Sequence, residues 1–313
     1  MVHETLVMPT ADGLELFAQE WRSDDKPAKA VVCLVHGMGE HSTRYQAVAE
    51  TLTGEGYVLF TYDQRGHGRS PGKRGHTPSV ERLTEDAERA IGMARKRHPD
   101  TPVFLYGHSM GGNVSLSCAL RRQPDIQGLI LTSPWLRLAF DPPRAKQWIG
   151  RQVARVWPSF SLATGLDPGQ LYRPDQEVAP VVMDMLAHNR ISAAMYFGLQ
   201  AEGEWALAHA SERLHAPMLL LHGTADRVTS YVASQQLAGC LDGRCAFYSW
   251  QDGLHELHND RERREVMQCV VRWMEDRLSD NPAESVHQVQ TIPQAAASGA
   301  GIAVPDGLAG APD

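Results

Sequence analysis

No stretch of this chain approaches the roughly 18 consecutive apolar residues of a membrane span, so nothing in the sequence reads as transmembrane. Met1 to Pro9 has neither the basic start nor the apolar core of a secretory leader, which makes the cytoplasm the expected compartment. Basic charge is scarce as well. The formal net charge is −7, and past Ser279 stand four acids (Asp280, Glu284, Asp306, Asp313) and no Lys or Arg, leaving −3 for the remainder. That balance argues against nucleic acid as a partner. Paired cysteines are missing too: the five present are odd in number and form no C-x-x-C. Cys33 falls in an apolar run and Cys118 in a helical one, so buried thiols are expected, with a Cys240–Cys245 bridge the conceivable exception. Among 14 histidines there is no H-E-x-x-H. His255-x-x-His258 has half the spacing of a zinc site and no companion cluster, so no metal is expected.

What the chain does have is enough apolar material for a full core: 42% hydrophobic and 21% charged residues over 313 positions, with a mean hydropathy of −0.33. Thr5 to Met8 and Leu14 to Trp21 read as a starting hairpin turned at Ala11-Asp12-Gly13. Ala30 to Val35, Tyr57 to Tyr62, Val103 to His108, Gln127 to Leu131, Pro217 to Leu221 and Cys245 to Trp250 are apolar runs suited to strands covered on both faces. Helical segments stand between them: Tyr45 to Gly54, Val80 to Arg97, Met110 to Arg122, Ser230 to Leu237 and Asp260 to Leu278. Strands and helices alternating at this interval predict an α/β fold with a mostly parallel central sheet flanked by helices.

The rhythm fails between Trp135 and about Glu212, where proline recurs (Pro142, Pro143, Pro158, Pro168, Pro174, Pro180), no buried strand is evident, and helical patches such as Ile149, Val153, Val156 and Trp157 occur. Four of the seven tryptophans lie here (Trp135, Trp148, Trp157, Trp205). The expected organisation is therefore a core of residues 1–134 and 213–278, a helical cap inserted at 135–212, and a tail at 279–313 whose Ala, Gly, Pro, Ser and Gln content predicts disorder.

Chemistry concentrates at the strand ends, where ligands bind in such sheets. Gly107-His108-Ser109-Met110-Gly111 turns an apolar strand into a helix, the setting of a nucleophile elbow. A serine hydroxyl needs a base in reach and an acid to orient that base. In this fold the chain order is Ser, then acid, then His. Asp226, after Pro217 to Leu221, and His255, after the last strand, meet that order and placement. Asp86, Asp100 and Asp184 fall in helices, loops or the insertion. Two backbone N–H groups are needed for the oxyanion, one from the residue after the serine and one from an early strand-end loop, which points to Met110 and Met38. His67 and His108 read as structural.

Together, His36-Gly37-Met38-Gly39-Glu40-His41-Ser42-Thr43-Arg44-Tyr45, Asp63-Gln64-Arg65-Gly66-His67-Gly68-Arg69-Ser70, the elbow, Gly223-Thr224-Ala225-Asp226-Arg227 and His255-Glu256-Leu257-His258 resemble the monoacylglycerol lipase and lysophospholipase branch of the serine α/β-hydrolases, over residues 4 to 278. The resemblance implies an α/β-hydrolase fold with a lid. It implies hydrolysis of fatty-acyl esters, most simply monoacylglycerols, through an acyl-enzyme on Ser109 and with no diffusible cofactor. Lysophospholipids and short-chain esters are the alternatives; a binding protein on the same fold is the remote one. It further implies that Glu40, Arg44 and His258 orient the alcohol part, against the plainer reading of Glu40 and Arg44 as an ion pair bracing the Met38 loop. The family's lid has an apolar, sometimes membrane-facing mouth, implying transient contact with a membrane or micelle. Thr229 departs from the pattern, since the mammalian enzyme has a cysteine there, and thiol-reagent sensitivity does not carry over.

Overall fold

The computed structural model describes residues 1–173, 184–279 and 289–292. The chain opens with an antiparallel hairpin, β1 (Val2–Pro9) and β2 (Glu15–Arg22), then alternates β3 (Val31–Val35), α1 (Gln46–Gly54), β4 (Val58–Tyr62), α2 (Val80–Arg97), β5 (Val103–His108), α3 (Met110–Arg122) and β6 (Gly128–Thr132). The insertion holds α4 (Arg144–Val156), β7 (Ser161–Ala163), β8 (Arg190–Ser192) and α5 (Ala193–Arg213). The core resumes with β9 (Met218–Gly223), α6 (Tyr231–Gly239), β10 (Cys245–Trp250) and α7 (Arg263–Leu278), and β11 (Val289–Ile292) follows.

Nine strands form one sheet in the order β1-β2-β4-β3-β5-β6-β9-β10-β11. β1, β2 and β4 pair antiparallel and the remaining neighbours pair parallel. The alternation of a strand distributes its side chains to two faces. Val31, Cys33 and Val35 enter the hydrophobic cluster under α2, α3, α5 and α6; Val32 and Leu34 enter the one under α1 and α7. Every residue of β3, β4, β5, β6 and β9 is buried, as a parallel sheet with both faces covered requires. Helix α2 keeps its expected bounds for a local reason: the Ser79 side chain accepts from Arg82 N at its start, and Arg95, Lys96 and Arg97 crowd its negative C-terminal end. All five cysteines are free thiols, Cys240 and Cys245 included.

Three features differ from the sequence reading. The tail is not wholly without structure: Val289–Ile292 pairs parallel with β10, Phe247 opposite Val289 through Trp250 opposite Ile292, and Ile292 is buried. The outer edge of β10 offers unpaired peptide groups, and three β-branched residues in a four-residue Val-Gln-Thr-Ile run fit a pleated surface. Residues 280–288 and 293–313 lie outside the described residues. Secondly, the insertion is not purely helical, because β7 and β8 pair antiparallel. Thirdly, its last helix, α5, lies against α3 and α2. Met195, Leu199, Ala206 and Ala210 join the main core, and Gly203 meets the Leu136 backbone so closely that a Cβ would collide with it.

The insertion is held unevenly. On one side His188 N–H donates to Gly39 O at 2.9 Å, the His188 Nε2 lies 3.1 Å from Gly66 O, Ser192 N–H donates to Gly75 O at 2.8 Å and His41 Nε2 meets Asp184 Oδ2 at 2.7 Å. On the other, α4 has no buried residue, and Trp148, Ile149, Val156 and Trp157 are exposed. So Trp148 and Trp157 do not pack the insertion onto the core, whereas Trp135 is buried there.

Candidate active site

β5 ends at His108, α3 starts at Met110, and Ser109 between them takes φ +52° and ψ −118°. That positive φ is strained for a residue with a side chain. It is held by Ser109 N–H to Thr132 O at 3.0 Å, and by Ser109 O accepting from Trp135 N–H at 2.9 Å and Asn113 N–H at 3.2 Å. The turn also demands glycine on both sides: a Cβ on Gly107 would run into the Gly111 carbonyl, and one on Gly111 into the carbonyl of Val35.

Ser109 Oγ lies 2.9 Å from His255 Nε2, and His255 Nδ1 lies 2.7 Å from Asp226 Oδ2. All three are buried. Asp226 Oδ1 accepts from the backbone N–H of Val228 at 2.7 Å and of Thr229 at 3.0 Å, and Oδ2 accepts from Thr229 Oγ1 at 2.8 Å. Burial alone would raise the carboxyl, but the neighbouring His255 and His222 imidazoles hold it well below the usual range. For His255 burial opposes charging, and Asp226 outweighs it, so the imidazole sits above its ordinary value. An N–H directed at the carboxylate leaves Nε2 free to accept the serine proton.

Met110 N–H is the first of α3, among the orphan donors of a helix start. Met38 lies in the loop after β3, which passes beside the serine: a Cβ on Gly37 would be 3.2 Å from Ser109 Cβ. Met38 and Ser109 share a cavity of about 470 Å³ with apolar walls, among them Trp135, Leu138, Ile149, Val153, Phe160 and Phe197.

Glu40, Arg44 and His258 come together, but none of them lines that cavity. The ion pair expected between Glu40 and Arg44 is not what the structure contains. Arg44 Nη2 donates to Glu256 Oε2 at 3.0 Å, with Asp184 at 4.0 Å, while Glu40 Oε2 accepts from Tyr45 OH at 2.9 Å and from Gly37 N–H at 3.4 Å. The 3-10 turn Ser42–Tyr45 carries Arg44 toward the His255 loop instead. Burial, then the Glu256 charge, pushes Glu40 up to about 7. His258 stacks on Tyr45 and meets His108 edge-on, and burial followed by Arg44 lowers it to about 3. His108 touches the His255 ring as well and is driven well below its ordinary value by burial.

The Asp63 to Ser70 loop braces this floor. Asp63 Oδ1 accepts from Ser42 N–H and Oγ, Asp63 Oδ2 from Arg69 N–H, and Arg65 pairs with Asp86 and Asp12. His67 Nδ1 lies 3.1 Å from Arg65 O, its ring between those of His36 and His188. Two contributors escaped the sequence reading. Ser133, at φ +45°, donates from Oγ to His255 O at 2.8 Å; the Ser133-Pro134 pair after a strand was its available signal. His222, next to last in β9, puts Nε2 3.1 Å from Asp226 Oδ2.

A strained strand-to-helix serine, a histidine after the last strand and an acid between them on a mostly parallel sheet define a serine α/β-hydrolase. The family described as "Serine aminopeptidase, S33" matches residues 26–262, and the chain belongs to that family. The human monoglyceride lipase is 33% identical over 280 residues, 86% of this chain and 89% of its own. An uncharacterized abhydrolase domain-containing protein of Dictyostelium discoideum is 31% identical over 279 residues, 88% of this chain, which spans only 29% of that longer protein. The crystal structure of the Paleococcus ferrophilus monoacylglycerol lipase superposes with a TM-score of 0.75 at 34% identity, covering 84% of this chain and 99% of the other. The chain is thus a monoacylglycerol lipase-like carboxylic ester hydrolase. No helix among the described residues is long and apolar enough to cross a membrane.

Proposed function

We propose that the chain hydrolyses monoacylglycerols, with Ser109 as nucleophile, His255 as base and Asp226 as the acid that orients it. The observation that carries the reading is the apolar cavity of about 470 Å³ that has Ser109 in its wall, a size and lining suited to one acyl chain. Ser109 Oγ attacks the ester carbonyl while His255 Nε2 takes its proton. The tetrahedral oxyanion is met by the N–H groups of Met38 and Met110. On collapse His255 returns the proton to the departing alcohol, leaving an acyl-Ser109 ester. Water, deprotonated by His255, then releases the fatty acid and regenerates the hydroxyl. Glu40, Arg44 and His258 do not line this cavity, so a role for them in orienting the alcohol rests on the family resemblance; Arg44 and Glu40 are held by Glu256 and Tyr45. Residues 135–212 serve as the lid.

The lid also makes the transient surface contact. Helix α4 combines exposed Trp148, Ile149 and Val156 with Arg144, Lys146, Arg151 and Arg155 and no acid, the composition of an interfacial helix. Lysophospholipids are the second reading, favoured by a groove of about 550 Å³ on the other side of α4 that Arg151 and Arg155 line, beside Asp141 and the Arg137–Glu204 pair, since arginines suit a phosphate. The test is a matched series of monoacylglycerols, lysophosphatidylcholines and p-nitrophenyl esters from two to eighteen carbons. Long-chain monoacylglycerols should give the highest kcat/KM, and Ser109→Ala should abolish turnover and labelling by a fluorophosphonate. Rates that peak at two to four carbons would replace the lipid reading with a short-chain esterase. Full turnover in Ser109→Ala would overturn the assignment of Ser109 as the nucleophile.

A further inference from the structure

Asp226 Oδ2 is a shared acceptor. His255 Nδ1 lies 2.7 Å from it, Thr229 Oγ1 2.8 Å and His222 Nε2 3.1 Å. Thr229 Oγ1 is also 3.1 Å from the Ser133 carbonyl and 3.3 Å from His255 Nδ1. A threonine hydroxyl has a single proton. It goes to the shorter contact with the charged acceptor, because hydrogen bonds to ions are the stronger ones. The same residue reaches the cavity wall, and its backbone N–H holds the other carboxylate oxygen.

We propose that Thr229 is a positioning residue of the ester hydrolysis: by donating to Asp226 Oδ2 it takes a share of the carboxylate charge that otherwise acts on His255, and so sets the pH at which the base becomes available. The proposal rests on the assignment of Ser109, His255 and Asp226 to the catalytic roles given above. The charged and titratable groups facing His255 are Asp226 from the loop after β9, Glu256 and His258 from its own loop, Glu40 from the loop after β3 and His108 from β5, with His222 behind Asp226. Substitution at Thr229 leaves all of them in place, so a change in His255 isolates the hydroxyl.

Thr229→Val keeps the side-chain shape and removes the donor. Oδ2 then offers more of its charge to the imidazolium, and the acid limb of kcat/KM, which reports the free enzyme's base, moves up by about 0.5 to 1 pH unit, the size expected for one charge-assisted hydrogen bond shared between two acceptor states. At the wild-type midpoint pH this is a roughly two- to five-fold loss, fading as pH rises. Thr229→Ser keeps the hydroxyl and should return the limb to the wild-type position. The downfield Nδ1 proton of His255, followed by NMR, should shift in Thr229→Val and not in Thr229→Ser. A purely structural role for Thr229 would lower the melting temperature and leave the limb and the resonance where they were, and that result overturns the proposal; so does a serine variant that behaves like valine. Should Thr229→Val not fold, Thr229→Ala carries the same prediction. If instead Ser109→Ala and Asp226→Asn hydrolyse esters at wild-type rates, the catalytic assignment beneath fails, whatever Thr229 does.

Discussion

Replacing Asp226 by asparagine changes one atom, and the structure dictates where the change falls. Oδ1 accepts two backbone N–H groups, from Val228 and Thr229, and an amide nitrogen in that position would face two donors. The asparagine carbonyl therefore takes the Oδ1 place and the NH2 the Oδ2 place, opposite His255 Nδ1, now 2.7 Å from a donor. Nδ1 must then accept, so the ring proton moves to Nε2, where it points at Ser109 instead of receiving the serine proton. A base in the wrong tautomer costs about 10⁴ in kcat, or about 5.4 kcal/mol of barrier. KM should change little, because neither atom lines the acyl cavity. The assay is hydrolysis of a medium-chain p-nitrophenyl ester, with thermal melting to show that the fold persists. Asp226→Asn retaining more than about a tenth of wild-type kcat would refute the assignment of Asp226 and the tautomer argument with it.

Activity should fall on acidification with a midpoint above the 6.5 of an unperturbed imidazole, since Asp226 outweighs burial at His255; the sign follows because protonated His255 cannot accept from Ser109, and a pH series of kcat/KM checks it. Gly150 faces the cavity with Phe197 only 3.0 Å from where its Cβ would stand. Gly150→Leu should thus cut long-chain ester kcat/KM about tenfold or more while sparing acetyl esters, the gain in helix propensity offsetting part of the cost of displacing the Phe197 ring. In the loop floor, Asp86→Ala takes the buried carboxylate from Arg65 and leaves its guanidinium to Asp12 alone, which should lower stability by about 1.5–3 kcal/mol in urea unfolding, the size of a lost hydrogen bond to a charged group.

How much of this was legible depended on whether the information was local. The buried strands announce themselves as continuous apolar runs, and Ser79 with Arg95, Lys96 and Arg97 brackets α2 to the residue. The order Ser109, Asp226, His255 could be read because strand ends are fixed by those runs. Ser133 could not, since its role comes from a positive φ and a contact 122 residues away. Glu40 and Arg44, four apart, look like natural partners, yet a 3-10 turn sends Arg44 to a residue 212 positions on. Helix α5 has its core stripe at Met195, Leu199, Ala206 and Ala210, but apolar residues around the rest of it mask the stripe. Val289 to Ile292 disappears into the average of a tail rich in small residues, and only the open edge of β10 gives it a place.

The uneven hold on the insertion separates two kinds of inheritance. Segments at 188–192 are tied through Gly39 to the loop that carries Met38, and through Gly66 and Gly75 to the loop after β4, so a mutation there reaches the proposed oxyanion donor Met38. Helix α4 walls the same cavity, packs on α5 and buries none of its own residues. Variation in α4 can therefore change which acyl chain fits without disturbing the line from Asp226 to Ser109. The fold thus keeps its chemistry and its choice of substrate on separately mutable supports, a division that lets selection retune one while holding the other fixed.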